Sequence, residues 1–398
     1  MMRVPLVDLS AESRELGDEL REALARVFER GDFILGQEVR ELEERISSYI
    51  GAAFGVGVAS GTDALLLSLM ALGVGPGDRV ITTPYTFFAT ASMASLLGAK
   101  PLFADIEPGS FNLNPARVEE LLESRCKRGP AGELIFEEDR SRIKALIPVH
   151  LFGQCAPMEP LLGLAREYGV PIIEDAAQAL GAGQEVHGVF RRAGSMGAFG
   201  CFSFYPTKCL GAAGDGGMVV TSDPELAESV RRLRVHGAQP KYRHRTLGIN
   251  SRLATLQAAL LLVKLSHLEG WCERRRALAG EYGRLFAEAG LLGRVELPAV
   301  EPGNTHIFSQ YVIRAERRDE LRAHLEASGI STEIYYPIPL HLQECYSSLG
   351  HRSGDFPEAE RAAGSSLALP LYPSLSSRQQ EYVVERIGEF YRKVGRGI

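Results

Sequence analysis

The stretch Cys201-Phe202-Ser203-Phe204-Tyr205-Pro206-Thr207-Lys208 decides the fold class of this 398-residue chain. Its first residues are apolar and aromatic, which is typical of a buried strand, and the proline ends that strand. Lys208 then lies in a loop that continues into the glycine-dense segment 211–217. An amine enclosed by apolar groups loses its charge more easily and can attack a carbonyl carbon. Lys208 is therefore a candidate nucleophile, although this stretch alone is explained more simply by a surface lysine after a strand.

A second stretch, Val170-Pro171-Ile172-Ile173-Glu174-Asp175-Ala176-Ala177-Gln178, changes that interpretation. It predicts a buried strand that ends in two acids. A carboxylate at a strand end opposite a loop lysine is what pyridoxal 5'-phosphate requires, because the lysine bonds to the aldehyde and the carboxylate keeps the pyridine nitrogen protonated. The sequence thus predicts Lys208 and Asp175 as the catalytic pair. Glu174 is expected to point the other way, and a helix N-cap is the alternative role for Asp175.

Three motifs carry a family resemblance: Glu174-Asp175-Ala176-Ala177-Gln178, Ser203-Phe204-Tyr205-Pro206-Thr207-Lys208 and Gly214-Asp215-Gly216-Gly217. They resemble the DegT/StrS family of sugar-nucleotide aminotransferases, which are fold-type I pyridoxal phosphate enzymes similar to aspartate aminotransferase. The resemblance extends from about residue 5 to about residue 395. It implies an α/β fold, with a mostly parallel central sheet flanked by helices in a large domain and a smaller α+β C-terminal domain. It also implies transfer of an amino group from glutamate or glutamine to a nucleotide-linked keto-hexose.

The alternation of strands and helices independently predicts a mostly parallel sheet with helices on both faces. We expect residues 1–265 to form an N-terminal arm and the large cofactor-binding domain, and residues 266–398 a linking helix and the small domain. The sequence also predicts the secondary structure of three segments in enough detail for a structure to test it. They are one continuous helix over residues 12–30, an irregular acidic insertion at residues 129–139, and a strand over residues 332–335.

Ligands of such sheets bind beyond the carboxyl ends of the strands. Thr62, Phe87, Gln154, Asp175 and Lys208 all follow predicted strand ends, so a single cleft can hold them. The turn from residue 59 to 62 opens an apolar helix, whose free N–H groups and dipole attract an anion. When it is considered locally, this turn is explained better by a good N-cap.

The resemblance assigns further roles around the cofactor. It places the phosphate at Ser60, Gly61 and Thr62, and it includes Ser203 in the cofactor shell. Phe87 would stack on the pyridine ring, and Phe88 would belong to the core. Gln178 would bond the phenolic oxygen. Asn250 would reach the phosphate of a neighbouring subunit, which implies a homodimer with shared active sites.

Substrate contacts are expected at the segment from Ile334 to His341, which resembles the family's edge of the sugar pocket. Tyr336, His341 and Gln154 are the candidates. The resemblance also brings the basic loop 236–248 towards the partner's active site, where it could meet a nucleotide diphosphate; a solvated loop is the alternative. Features around residues 248–252 and 267–271 resemble the branch that aminates a 3-keto sugar, with a 4-keto sugar as the alternative. The nucleotide, dTDP or UDP, stays open.

Composition excludes several other classes of function. The chain has 44 Lys and Arg against 50 Asp and Glu, a net charge of -6, so neither nucleic acid nor an anionic membrane is an expected partner. We expect neither a signal peptide nor a membrane span, because residues 1–8 lack an apolar core with a small-residue cleavage site and no apolar run reaches membrane-spanning length. The six cysteines lack metal-ligand spacing, and we expect no metal and a reducing, cytoplasmic location.

Two rival functions remain. The first is a sugar dehydratase of the same family, in which a histidine replaces the lysine, so that Lys208 argues against it. The second is a non-catalytic regulator that keeps the fold. The retained Lys208, Asp175, Gln178 and Ser203 make that function harder to defend.

Overall fold

The structure is a computed structural model, and it describes residues 2–394. Within these residues the helices, numbered in chain order, are α1 Leu9–Glu15, α2 Gly17–Arg30, α3 Gln37–Ile50, α4 Gly61–Ala71, α5 Ala89–Leu96, α6 Pro115–Arg125, α7 Met158–Tyr168, α8 Pro224–Leu233, α9 Thr255–Leu265, α10 Leu268–Glu288, α11 Arg318–Ala327, α12 Pro357–Ser365 and α13 Ser377–Val394. The strands are β1 Phe54–Val58, β2 Asp78–Thr82, β3 Lys100–Phe103, β4 Cys126–Arg128, β5 Leu134–Phe136, β6 Arg142–Ile147, β7 Ile173–Asp175, β8 Gly183–Val186, β9 Val189–Arg192, β10 Phe199–Ser203, β11 Gly217–Thr221, β12 Val295–Glu296, β13 Asn304–Thr305, β14 Tyr311–Ala315 and β15 Ser366–Leu369.

Within residues 2–394, seven strands of the central sheet lie in the order β3-β2-β6-β7-β10-β11-β1, and β5 and β4 extend the sheet beside the start of β6. β3, β2 and β6 pair in parallel, as do β7 and β10. Parallel bridges at Leu146 with Ile172 and at Val149 with Asp175 join β6 to β7. Strand β11 runs antiparallel to both of its neighbours. The predicted α/β fold with a mostly parallel sheet is therefore confirmed.

The strand β10 shows why this sheet is covered on both faces. Side chains alternate between the faces of a strand with a period of two. Phe199 and Cys201 accordingly pack with apolar residues of α4, α5 and α8 on one face. Phe202 and the following Phe204 pack with α3 and α9 on the other. Burial on both faces explains the nearly continuous apolar sequence that precedes Lys208.

A smaller antiparallel sheet, in the order β12-β14-β15, lies in the C-terminal part of the chain. Its core includes apolar residues of α10, α11 and α13, in agreement with the α+β unit that the sequence predicts. Val4 also belongs to this core, and its N–H donates to the carbonyl of Gly329 at 2.9 Å. The N-terminal arm thus packs against the C-terminal unit. The domain boundary after residue 265 stays a prediction.

Three local expectations are wrong. The helix expected over residues 12–30 is two helices, because the chain leaves helical geometry at Leu16, the C-cap of α1. The irregular insertion contains the strand β5, which forms a hairpin with the preceding β4, and the Phe136 ring of β5 is covered by the guanidinium groups of Arg79 and Arg125. The expected strand at residues 332–335 is reduced to one bridge between Glu333 and Ala368. The hairpin packs against residues that are distant in the sequence, such as Arg79, and the local sequence pattern carries no information about those contacts.

Candidate active site

A cavity of about 680 Å³ lies where the loops after β1, β7 and β10 converge. Nine of the predicted site residues line it: Ser60, Gly61, Thr62, Phe87, Asp175, Gln178, Ser203, Lys208 and Tyr336. These residues come from separate loops and from both parts of the chain. The fold therefore brings these nine residues into one cleft beside the strand ends.

Lys208 is presented by a tight loop after β10. Its N–H donates to the carbonyl of Tyr205 at 2.8 Å, which turns the chain back at Pro206. A Cβ at Gly211 would lie 2.3 Å from the Pro206 carbonyl oxygen, so the returning segment needs a glycine at that position. Burial lowers the pKa of the Lys208 amine, and the charge of Asp175 partly opposes that shift. A larger fraction of neutral amine makes this lysine a better nucleophile and proton acceptor.

Asp175 ends β7 with its carboxylate enclosed. Its Oδ2 atom accepts a hydrogen bond from Thr90 Oγ1 at 2.7 Å, and its Oδ1 atom accepts one from the Ala177 N–H at 3.2 Å. Burial raises the pKa of Asp175, while these hydrogen bonds and the Lys208 charge lower it. Such a carboxylate can stabilise a cationic N–H placed against it, because each charge lowers the other's desolvation cost.

Glu174 lies on the opposite side of β7, as the sequence predicts. Its carboxylate accepts hydrogen bonds from the N–H groups of Gly194, Met196 and Gly197 at 2.6–2.7 Å. It also contacts His150 Nε2 at 2.8 Å. Glu174 therefore holds His150 and the segment 194–197 against the side of β7 that is opposite Asp175.

The turn before α4 presents free N–H groups and hydroxyls in the arrangement that an anion requires, and we refer to residues 60–62 as the cradle. Ser60 caps the helix, and its Oγ accepts from the Asp63 N–H at 3.0 Å. The N–H groups of Gly61 and Thr62 occupy the first helical positions, where no intrahelical acceptor exists. A Cβ at Gly217 would lie 2.4 Å from the backbone C and O atoms of Ser60, and a Cβ at Gly61 would lie 2.6 Å from the Cβ of Ser203. Glycine at positions 61 and 217 therefore allows the turn at Ser60, the end of β10 and the start of β11 to pack closely together.

Gln178 and Tyr336 form the polar side of the cavity. Gln178 Oε1 accepts from the Phe152 N–H at 2.7 Å, and its Nε2 donates to the Tyr336 hydroxyl at 3.1 Å. Phe87 is 57% exposed, and its ring centre lies 6.2 Å from that of Tyr336. The expectation that Phe88 belongs to the core is wrong, because it is 42% exposed. Phe88 is the N-cap of α5, and its ring lies at the surface beside that of Tyr346, with the ring centres 5.9 Å apart.

These groups fit pyridoxal 5'-phosphate. The cradle at Ser60–Thr62 offers N–H groups and hydroxyls to a phosphate, the Asp175 carboxylate can face the pyridine nitrogen, and Lys208 can bond to the aldehyde. The family model of the DegT/DnrJ/EryC1/StrS aminotransferases matches residues 14–388. The chain belongs to this family. The predicted family, fold and aminotransferase activity are thereby confirmed.

This aminotransferase is similar to several known proteins. A "pleiotropic regulatory protein" of Geobacillus stearothermophilus is 48% identical over 98% of this chain and 99% of its own. A dTDP-3-amino-3,4,6-trideoxy-alpha-D-glucose transaminase of Streptomyces venezuelae is 42% identical over 98% of this chain and 97% of its own. The crystal structure of S. venezuelae DesV in complex with a ketimine intermediate superposes with a TM-score of 0.89, at 42% identity, over 98% of this chain and 99% of that one.

Two predicted substrate contacts of the aminotransferase do not line the cavity. Gln154 is 1% exposed, and its amide bonds the carbonyl of Ala299 and the N–H of Glu301, which anchors that loop. His341 is also 1% exposed and contacts Glu360 Oε1 at 3.1 Å, and burial lowers its pKa. The structure therefore corrects both expectations, since the Gln154 amide is bonded to a neighbouring loop and the His341 ring is buried outside the cavity with its Nε2 atom against Glu360.

Asn250 is the third predicted residue outside the cavity. It is exposed and bridges to Val235 in the backbone. An exposed position is what a residue that serves a neighbouring subunit requires. Its role stays a prediction.

Sequence reasoning missed three residues of the aminotransferase site. Thr90 holds Asp175, and Tyr85 accepts from the Tyr336 N–H at 3.1 Å while its hydroxyl also contacts Ser366 Oγ at 2.8 Å. Gln310 lines the cavity from the segment before β14. Only the fold brings these positions to the site, and the local sequence carries no separate signal for them.

In residues 2–394, no helix combines the length and the apolar character needed to traverse a bilayer. The same residues contain no group of three or more His, Cys, Asp or Glu arranged to hold a metal ion.

Proposed function

We propose that this aminotransferase uses pyridoxal 5'-phosphate to transfer an amino group from glutamate, or glutamine, to a nucleotide-linked keto-hexose in amino-sugar biosynthesis. The observation that carries the proposal is the meeting of Lys208, Asp175 and the Ser60–Thr62 cradle in one cavity. A lysine, an enclosed acid and an anion cradle correspond to the three parts of the cofactor that a protein must hold.

The bound cofactor would supply an electron-accepting ring. Asp175, held by Thr90, would keep the pyridine nitrogen protonated. Lys208 Nζ, whose pKa is lowered by burial, would take up a proton at the amino donor's Cα as general base and release it again as general acid. Ser60, Gly61, Thr62 and Ser203 would hold the phosphate. Phe87 would cover the ring.

The proposed acceptor is a dTDP- or UDP-linked 3-keto sugar. The S. venezuelae relative is named for a 3-amino sugar nucleotide, which supports this choice over a 4-keto acceptor. Tyr205, Tyr335 and Tyr336 add aromatic and hydroxyl surface to the cavity, and such surface suits a sugar ring.

We propose a homodimer with shared active sites as the functional unit. Large apolar side chains are exposed outside the cavity, among them Phe28 at 61%, Ile34 at 52% and Leu247 at 90%. Leu247 belongs to the basic loop 236–248, which is the segment proposed to approach a partner's nucleotide diphosphate. Covering these side chains against a second copy would remove their apolar surface from water.

The similarity to a protein named as a regulator keeps a non-catalytic function as the alternative. Lys208 and Asp175 in one cavity favour catalysis, because a regulator would not need a lysine whose pKa is lowered. The proposed location is the cytoplasm. All six cysteines lie within the described residues and are unpaired, which supports a reducing compartment.

The test separates the two half-reactions in a spectrophotometer. Protein loaded with pyridoxal phosphate is mixed with L-glutamate, and then with a panel of dTDP- and UDP-linked 3- and 4-keto sugars. We expect glutamate to remove the cofactor absorbance and one keto sugar to restore it. A chromophore that no amino donor changes would overturn the proposed transamination, and the absence of a chromophore would overturn the proposed cofactor.

Lys208→Ala should abolish turnover, with a loss of at least about 1,000-fold, because it removes both the covalent attachment and the proton carrier. It should still bind pyridoxamine phosphate. The matched control is Lys127→Ala, which removes an exposed lysine of β4 that pairs with Glu137. Normal turnover in Lys208→Ala would refute the catalytic role of this lysine.

A further inference from the structure

A buried ion pair lies at the edge of the central sheet, close to the cradle. Within residues 2–394, β1 is the outermost strand at this edge, and only one of its sides pairs with another strand, β11. Glu43 of α3 and Arg234, the C-cap of α8, contact β1, and each is 8% exposed. Arg234 Nη1 donates to Glu43 Oε1 at 2.5 Å. The ion pair is therefore enclosed between two helices and the edge strand.

This ion pair bonds both backbone polar groups of one residue in β1. Glu43 Oε1 accepts a hydrogen bond from the Gly57 N–H at 2.7 Å. Arg234 Nη1 donates to the Gly57 carbonyl, also at 2.7 Å. Hydrogen bonds in which one group is charged are stronger than those between neutral groups. The ion pair thus replaces the missing neighbour strand at Gly57 and holds the end of β1 in place.

A second contact holds the chain two residues further on. Ser251 Oγ accepts from the Ala59 N–H at 3.1 Å, and the Ser251 N–H donates to the carbonyl of Arg234 at 3.0 Å. Ser251 is fully buried. Because both contacts run through Arg234, we call Glu43, Arg234 and Ser251 the Arg234 cluster. The cradle at residues 60–62 follows directly after the backbone that this cluster holds.

The Arg234 cluster can affect the cofactor only through that backbone, since its three side chains are not among the groups that line the cavity. A backbone N–H bonds a phosphate oxygen well only at distances of about 2.7–3.2 Å. A shift of a few tenths of an ångström in the cradle would therefore weaken such a bond. Backbone that is held rigidly before the ligand arrives avoids this loss.

We propose that the Arg234 cluster positions the cradle for the cofactor phosphate. It would act through the backbone of Gly57 and Ala59, and its members are positioning residues that touch neither cofactor nor substrate. This inference rests on the proposed function and deepens it. A role confined to the stability of the fold would not distinguish between ligands with and without a phosphate, whereas positioning of the cradle affects only a ligand that carries one.

The test titrates the apoprotein of Arg234→Met with pyridoxal phosphate and, separately, with pyridoxal, which has the ring and the aldehyde but no phosphate. Methionine keeps an apolar stem and removes the guanidinium. Binding is followed by the absorbance of the bound ligand. We expect the Kd for pyridoxal phosphate to rise about 5- to 20-fold, the range for one weakened hydrogen bond. The Kd for pyridoxal should stay within about 2-fold of the wild type.

Arg79→Met is the matched control, because Arg79 forms a comparable ion pair with Asp139 at 2.8 Å. Arg79 lies at the start of β2, which is the amino end of a parallel strand and therefore opposite the edge where ligands bind. Breaking either ion pair should lower the free energy of unfolding, since it leaves a carboxylate without its partner. Only Arg234→Met should change the Kd for pyridoxal phosphate.

The outcomes separate positioning from stability. Equal increases in the two Kd values of Arg234→Met, or an unchanged Kd for pyridoxal phosphate, would overturn the inference. Ser251→Ala leaves the ion pair intact and provides the same readouts if Arg234→Met does not fold, with an expected rise of about 2- to 5-fold for pyridoxal phosphate alone. A wild type that does not bind pyridoxal phosphate would instead refute the proposed cofactor, and the role of the Arg234 cluster would fall with it.

Discussion

Gly217→Ala tests whether the turn before α4 binds the cofactor phosphate. The added Cβ would lie 2.4 Å from the Ser60 C and O atoms and 2.7 Å from the Gly61 N atom, whereas ordinary contacts begin at 3.4 Å. These neighbours are backbone atoms of the turn, so relief requires the turn itself to move, by about 1 Å. Such a displacement is enough to break hydrogen bonds between its N–H groups and a phosphate, which require distances near 2.7–3.2 Å.

The expected effect can be estimated from those bonds. A hydrogen bond to a charged group contributes about 1.5–3 kcal/mol, so losing one should cost about 1.5–3 kcal/mol of cofactor affinity. That corresponds to an increase of about 10- to 150-fold in the Kd for pyridoxal phosphate. The overpacked site should also lower the free energy of unfolding of the apoprotein by about 1–3 kcal/mol.

The assay is a titration of apoprotein with pyridoxal phosphate, followed by the absorbance of the bound cofactor. Gly163→Ala is the control, since this glycine lies in α7 and a Cβ there meets nothing within 4 Å. It should leave the Kd unchanged and stabilise the helix by about 0.5–1 kcal/mol. A Gly217→Ala protein that binds the cofactor with the wild-type Kd would refute the placement of the phosphate at this turn.

Two further predictions concern buried polar groups. Thr90→Val removes the hydroxyl that donates to Asp175, so the pKa of Asp175 should rise further, and kcat should fall about 10-fold in steady-state assays. Burial lowers the pKa of His306 from 6.5 to about 3. The unfolded chain therefore binds a proton there below pH 6.5 while the folded chain does not, and stability should fall with decreasing pH, by about 2 kcal/mol at pH 5. Urea unfolding at pH 7 and pH 5 should show a smaller difference for His306→Gln than for the wild type.

Each of these predictions has a clear contrary outcome. For Thr90, the control is Thr86→Val, because Thr86 contacts the Thr90 hydroxyl at 3.0 Å. Equal losses in the two variants would mean that the contact with Asp175 is unimportant. For His306, the free energy of unfolding is compared at pH 7 and pH 5. If the difference is the same in His306→Gln as in the wild type, the acid sensitivity comes from other groups.

Much of the site was predictable because its residues follow strands with strong patterns. The apolar run before Lys208 and the one before Asp175 are both buried strands, and parallel strands place their carboxyl ends at one edge of the sheet. The helix that begins at Gly61 was predictable from its small, polar start. These features depend on residues close together in the chain.

Other parts of the site depend on contacts between distant segments. Gln154 follows a strand end as the other candidates do, yet its amide is turned to a loop near residue 300. His341 was expected in a loop near the sugar and is instead buried against Glu360. Thr90 reaches Asp175 across 85 positions of sequence. No local pattern specifies these partners.

The sequence by itself determined the buried strands before Lys208 and Asp175 and the small, polar start of α4, because short-range apolar periodicity and the placement of glycine and polar residues encode them. The tertiary structure alone decided which polar side chains are hydrogen-bonded within the protein and which line the cavity. That difference has a physical reason. Whether an amide or hydroxyl side chain is available to a ligand depends on where folding places it and on the donors and acceptors beside it: the Gln154 amide is satisfied by a neighbouring loop, whereas Gln310 lines the cavity.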